Sequence, residues 1–165
     1  MDAGTDAVLD VLIVDDDPGD ALLIQEFVTH GNSRSSRSTH VVSEGSEALR
    51  FVRRLGEFTE SPRPRLVLLD LNLPGLSGLE VLAEIKGDDE FTTIPVVILS
   101  SSRHPTDVER SYGLHANAYI VKPVDLDDFG AAIRSVDSCF LRYAEPAPAP
   151  DHDYNAEHPV LDSHG

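Results

Sequence analysis

Three consecutive carboxylates, Asp15, Asp16 and Asp17, follow directly on the apolar run VLDVLIV of residues 8–14, and a second run, LVLL of residues 66–69, ends on Asp70. Acids brought to one place repel, and each raises the pKa of the next unless a cation neutralises them. A hard divalent ion meets that need with oxygen ligands. Mg2+ keeps several of its own waters, so two carboxylates and one backbone carbonyl are a sufficient protein share. Asp16, Asp70 and the carbonyl of Asn72 fit that share. Two more apolar runs end in polar groups suited to the same place. One closes on the Ser100 hydroxyl, and the other on Lys122, whose ammonium can pair with Asp70 or with a phosphoryl oxygen.

The elements that must hold these groups are readable from periodicity. Residues 8–14 are almost continuously β-branched or leucine, the pattern of a strand covered on both faces. Pro18 suits the first turn of a helix with Leu23, Ile24, Phe27 and Val28 on one side. Gly31 to Ser38 reads as a polar loop before a short strand over Thr39–Val42. Ser46 reads as the N-cap of a second helix whose inward stripe is Ala48, Leu49, Val52 and Leu55. Pro62 and Pro64 interrupt regular structure, and residues 66–70 form the third strand. A third helix runs from Leu79 to Gly87 with Val81, Leu82 and Ile85 inward. The fourth strand starts at Ile94, the fourth helix spans Thr106 to Leu114, and the fifth strand covers Ala118–Val121. A fifth helix then extends to Tyr143, with Leu126, Phe129, Ile133, Val136, Phe140 and Leu141 as its apolar side.

Five strands alternating with five helices imply a parallel sheet with helices on both faces, because each crossover is right-handed. The expected class is therefore α/β, a doubly wound (βα)5 sheet of flavodoxin-like order 2-1-3-4-5. Ligands of such sheets sit at the carboxyl ends of the strands where the order reverses, here between strands one and three. Those are the strands that end in Asp15-Asp16 and in Asp70.

Composition narrows the classes further. The chain has 165 residues and a formal charge of −16, the wrong sign for a nucleic-acid backbone. Its apolar runs are too short to cross a bilayer. Cys139 is the single cysteine, which excludes an intrachain disulfide framework and suits a reducing, cytoplasmic setting. The expected organisation is a disordered N-terminus over 1–7, one folded domain over 8–143, and a disordered acidic Pro/Ala-rich tail over 144–165. Asp17 reads as a loop or helix-start acid, and His104 and His115 read as surface residues.

In this order, the blocks DVLIVDDDP, LVLLDLNLPGLSG, VVILSSS and AYIVKP closely resemble the conserved blocks of two-component response regulator receiver domains. The resemblance covers residues 8–143 and implies a role for each matching position. Asp70 would be the phosphoacceptor, Asp15 and Asp16 the acid pair that holds Mg2+ or Mn2+, and Lys122 the partner of the phosphoryl group. Ser100 would be the switch hydroxyl and Tyr119 the switch aromatic, turning from exposed to buried on phosphorylation. A cis peptide would precede Pro123. Asn72 and Ser102 resemble the positions that tune phosphate lifetime. The implied partners are a sensor histidine kinase as phosphodonor and a downstream protein. A homodimer would form through the face made by the fourth helix, fifth strand and fifth helix.

With PGD after the acid pair and KPVDLDDF near the end, the chain looks most like stand-alone regulators paired with phytochrome-type and other PAS-containing kinases. No DNA-binding or catalytic output segment is legible after residue 143, so a signalling protein rather than an enzyme is expected. Two lysines against eleven arginines in an acidic chain also resemble the usage of salt-accumulating haloarchaea. Two alternatives compete. A phosphatase of the haloacid-dehalogenase type needs a second acid two residues after its nucleophile, where this chain has Asn72. A degenerate receiver serving only as an interaction module does not require the full set of Asp15, Asp16, Asp70, Ser100 and Lys122.

Overall fold

The computed structural model describes residues 8–30 and 36–141. The segments expected to be disordered, 1–7 and 144–165, lie outside the described residues, as does the expected helix end at Tyr143. Five strands and five helices alternate: β1 Val8–Val14, α1 Pro18–Thr29, β2 Ser36–Val42, α2 Gly45–Arg53, β3 Leu66–Leu69, α3 Gly78–Lys86, β4 Val96–Ser100, α4 Pro105–Gly113, β5 Ala118–Val121 and α5 Leu126–Phe140. A 3-10 turn, Gly56–Phe58, follows α2. The strands form one parallel sheet in the order β2-β1-β3-β4-β5.

The apolar runs are continuous because alternate side chains serve two cores. On one face Leu12 and Val14, Val67 and Leu69, and Val96 and Ile98 meet Ala48 and Val52 of α2 and Val81, Leu82 and Ile85 of α3. On the other, Val11 and Ile13, Leu66 and Leu68, and Val97 and Leu99 meet Ile24 and Val28 of α1 and Phe129, Ile133 and Val136 of α5. All of these are buried, so each central strand removes apolar surface from water on both sides.

Several local expectations are corrected. The strand expected at Thr39 begins at Ser36, because β2 pairs with β1 from Val8↔Ser36 onward and an edge strand tolerates polar residues on its open side. Helix α2 is capped at Glu44, whose extended backbone leads into the helix, and not at Ser46, which lies inside the first turn. Leu55 is 51% exposed because α2 has already ended at Arg54 in a left-handed conformation, φ 57°. Leu126 is 56% exposed as the first residue of α5, before the buried stripe begins at Phe129.

Candidate functional site

The carboxyl edge of the sheet gathers the charged groups through backbone hydrogen bonds that prolong the strand ladders. The Asp15 N–H donates to the Val42 carbonyl, the Asp70 N–H to the Val14 carbonyl (3.0 Å), and the Lys122 N–H to the Ser100 carbonyl (2.8 Å). Each functional residue thus continues a strand by one position and inherits its rigidity. Beyond Asp70 the chain turns, and Gly78 opens α3 against the strand end, its N–H donating to the Leu71 carbonyl. A Cβ at Gly78 would lie 2.6 Å from Leu71 Cα and collide with the Asp70 carbonyl oxygen, so glycine is required by the close approach. Ser77 caps α3 in a capping box with Glu80.

Asp15 and Asp70 are buried, at 3% and 7% exposure, whereas Asp16 is exposed. One oxygen from each of Asp15, Asp16 and Asp70 lies within 4.8 Å of the others, a spacing that lets three carboxylates share one cation. Burial pushes the Asp15 carboxyl above its ordinary value, against the lowering effect of bonds from Lys122 and the Asp17 N–H. The cluster is therefore suited to a divalent ion, as its hard oxygen donors require.

Lys122 reaches into this cluster and donates to Asp15 Oδ2 at 2.8 Å, Asp20 Oδ2 at 2.8 Å and Asp70 Oδ2 at 2.9 Å. Burial alone would lower its pKa; the three carboxylates outweigh that effect and hold it above the ordinary lysine value. Among the described residues there is no cis peptide, so the bond before Pro123 is trans, contrary to expectation. The common trans isomer suffices, because Lys122 Nζ already meets all three acids. The other oxygen of Asp70 accepts the Asn72 N–H at 3.1 Å. Asn72 places no acid beside Asp70 for a phosphatase-type general acid.

Ser100 is fully buried, and its hydroxyl accepts the Ser102 N–H at 3.3 Å. The Tyr119 hydroxyl donates to the Ser102 carbonyl at 2.7 Å, and its half-buried ring packs against the core on the α2 and α3 face. Tyr119 is thus half-buried, with its hydroxyl held by the Ser102 carbonyl. From the other side, the Tyr119 N–H donates to the Tyr112 hydroxyl of α4 at 3.0 Å. Asp17 is the N-cap of α1, accepting the N–H groups of Gly19 and Asp20, and is a helix-start acid as expected. His104 caps α4 through its ring nitrogen.

Two residues escape sequence reasoning. Asp20 joins the site through Lys122; the signal was its place in the first turn of a helix that starts at Pro18 beside the acid run. Tyr112 has no spacing to Tyr119 that marks it, because the helix-to-strand turn sets their contact.

The sequence profile described as response regulator receiver domain matches residues 11–134. The response regulator Rcp1 of Synechocystis is 40% identical over 131 residues, spanning 79% of this chain and 88% of that one. A probable methanogenesis regulatory protein, FilR2, of Methanothrix harundinacea is 34% identical over 141 residues, spanning 84% of this chain and 88% of its own. Among solved structures, the phosphorylated cyanobacterial phytochrome response regulator RcpA superposes with a TM-score of 0.80 at 39% identity, covering 86% of this chain and all (100%) of that one. The Mn2+-bound form of Rcp1 gives a TM-score of 0.77 at 38% identity over 86% of this chain and 99% of its own.

Proposed function

The chain belongs to the response regulator receiver domain family, and we propose that it accepts a phosphoryl group on Asp70 from the phosphohistidine of a sensor histidine kinase and signals by a conformational switch to a protein partner. The observation that carries this reading is the Lys122 ammonium on Asp70 Oδ2 beside the acids Asp15 and Asp16. Solved structures named as phytochrome or bacteriophytochrome response regulators support a kinase of the phytochrome type as the donor.

In the transfer, a carboxylate oxygen of Asp70 attacks phosphorus, the P–N bond to imidazole breaks as the P–O bond forms, and the imidazole leaves with the electron pair. The Asn72 N–H and Lys122 hold Asp70 from its two oxygens, so the attacking group is aimed before the donor arrives. Lys122 then offsets charge on the transferred group. Asp15, Asp16 and Asp70, with the carbonyl of Asn72, would hold Mg2+, which would neutralise charge on the phosphoryl oxygens; Mn2+ is the other candidate, as in the Mn2+-bound form of Rcp1.

The switch runs through Ser102. Drawing the Ser100 hydroxyl toward a phosphoryl oxygen takes it from the Ser102 N–H, and the Ser102 carbonyl holds Tyr119. Those two bonds couple the site to the face of α4, β5 and α5, which is also the surface proposed for a homodimer. The complete set of acids, lysine and hydroxyl favours this reading over an interaction module that is never phosphorylated. Incubation with a small phosphodonor and Mg2+ followed by intact mass measurement tests it. The expected result is a gain of one phosphoryl group that Asp70→Asn abolishes; no gain with any donor overturns the reading.

A further inference from the structure

Lys122 makes one bond to each of three carboxylates, and an ammonium has three N–H donors, so all are committed. Two of the three acceptors, Asp15 and Asp70, belong to the carboxylate trio that can share a cation; Asp20 does not. A divalent ion on that trio competes with Lys122 for Asp15 and Asp70 but leaves Asp20 untouched. Asp20 is also held independently of the trio. It lies in the first turn of α1, where its own N–H is bonded to the Asp17 carboxylate, and its side chain is 31% exposed at the rim of the site. The N-cap therefore fixes the height at which Asp20 meets the ammonium.

We infer that Asp20 is a positioning residue for Lys122: it is the anchor that keeps the ammonium at the rim of the site when a divalent ion takes the other carboxylates. The inference rests on the receiver reading of the site and adds a residue to it. Lys122 with Asp20 stays in reach of a phosphoryl oxygen on Asp70. Lacking Asp20, the ammonium has only the metal-binding acids to hold, and it opposes the ion that must bind there.

The test is a double-mutant cycle in the full chain, with wild type, Asp20→Asn, Lys122→Ala and the double variant compared for Mn2+ affinity by calorimetry. Thermal melts of each protein confirm that it is folded, and Asp20→Glu supplies a variant that retains the charge. The expected result is that Asp20→Asn weakens Mn2+ binding by about three- to tenfold when Lys122 is present, and by less than about twofold in Lys122→Ala. Asp20→Glu should recover most of the loss. Equal losses in the two backgrounds, as a plain effect of charge would give, or no loss in either, overturn the inference. Phosphoryl uptake by the wild-type chain is measured alongside. If uptake fails, the receiver reading fails with it, whereas uptake with an uncoupled cycle removes Asp20 alone.

Discussion

At the carboxyl edge of the sheet one ammonium faces three carboxylates, whereas near the amino edge the Arg37 guanidinium forks onto Asp137, with Nε to Oδ1 at 2.8 Å and Nη2 to Oδ2 at 3.2 Å. The fork is buried and the lysine cluster part-buried, and both join distant residues, Arg37 with Asp137 and Lys122 with Asp15 being about a hundred positions apart. The fork uses both oxygens of Asp137 on one planar cation, a geometry that matches carboxylate and guanidinium bond for bond. The lysine cluster has more acid than base, and burial lifts Asp15 above its ordinary pKa. One arrangement ties the end of α5 to the edge strand β2; the other leaves a demand for positive charge that an incoming ion can meet. Bonding alone does not separate structural from chemical clusters here, but the surplus of one sign does.

Breaking the fork should produce the largest effect on stability. Arg37→Ala leaves the Asp137 carboxylate buried without its guanidinium and should cost about 3–5 kcal/mol in urea unfolding. Phosphoryl uptake by the folded fraction should be unchanged, and a cost below about 1 kcal/mol would deny the fork its structural role. Gly78→Ala should come next. Its methyl meets the backbone of Asp70 and Leu71, which cannot swing aside, so a loss of about 1–3 kcal/mol is expected together with slower uptake. Lost stability with uptake at the wild-type rate would show that the Asp70 strand end absorbs the displacement.

The smallest effect belongs to Asp15→Asn measured without divalent ions. Asp15 has its folded pKa raised above 3.8, so the folded state binds more protons than the unfolded one between those two values. Wild-type stability therefore falls as pH rises through that window, and the deficit persists above it. Asparagine removes the titrating group, so the variant should gain on wild type as pH rises through the window and keep that gain at neutral pH. Mg2+ should erase the gain by stabilising only the wild type. A difference independent of pH would show that Lys122 already satisfies Asp15.

The sheet was legible because its central strands are buried on both sides. Apolar runs ending at Val14, Leu69 and Ser100 have no other use in a chain of this size, and their order sets the topology. The positions that would hold a phosphoryl group and its ion were legible for the same reason, since each follows the end of such a run. What escaped depends on the surface or on distance. Arg37 lies in a polar stretch that reads as loop, and it becomes strand by pairing with Leu9 across the sheet edge. Its partner Asp137 lies one turn after Ile133 at the border of the apolar side of α5, where the pattern marks a buried position but not the guanidinium that a carboxylate there would meet. Asp20 was one acid among several, and its role appears only when Lys122, 102 positions away, folds back over α1.

The Tyr112 hydroxyl on the Tyr119 N–H has a consequence for behaviour in concentrated solution. β5 is the last strand of the sheet, and its outer backbone groups would otherwise template a strand from a second chain. A helix side chain that occupies one of those donors interrupts the template near its middle. The same contact that holds Tyr119 thus guards the open end of the sheet against accretion of further chains.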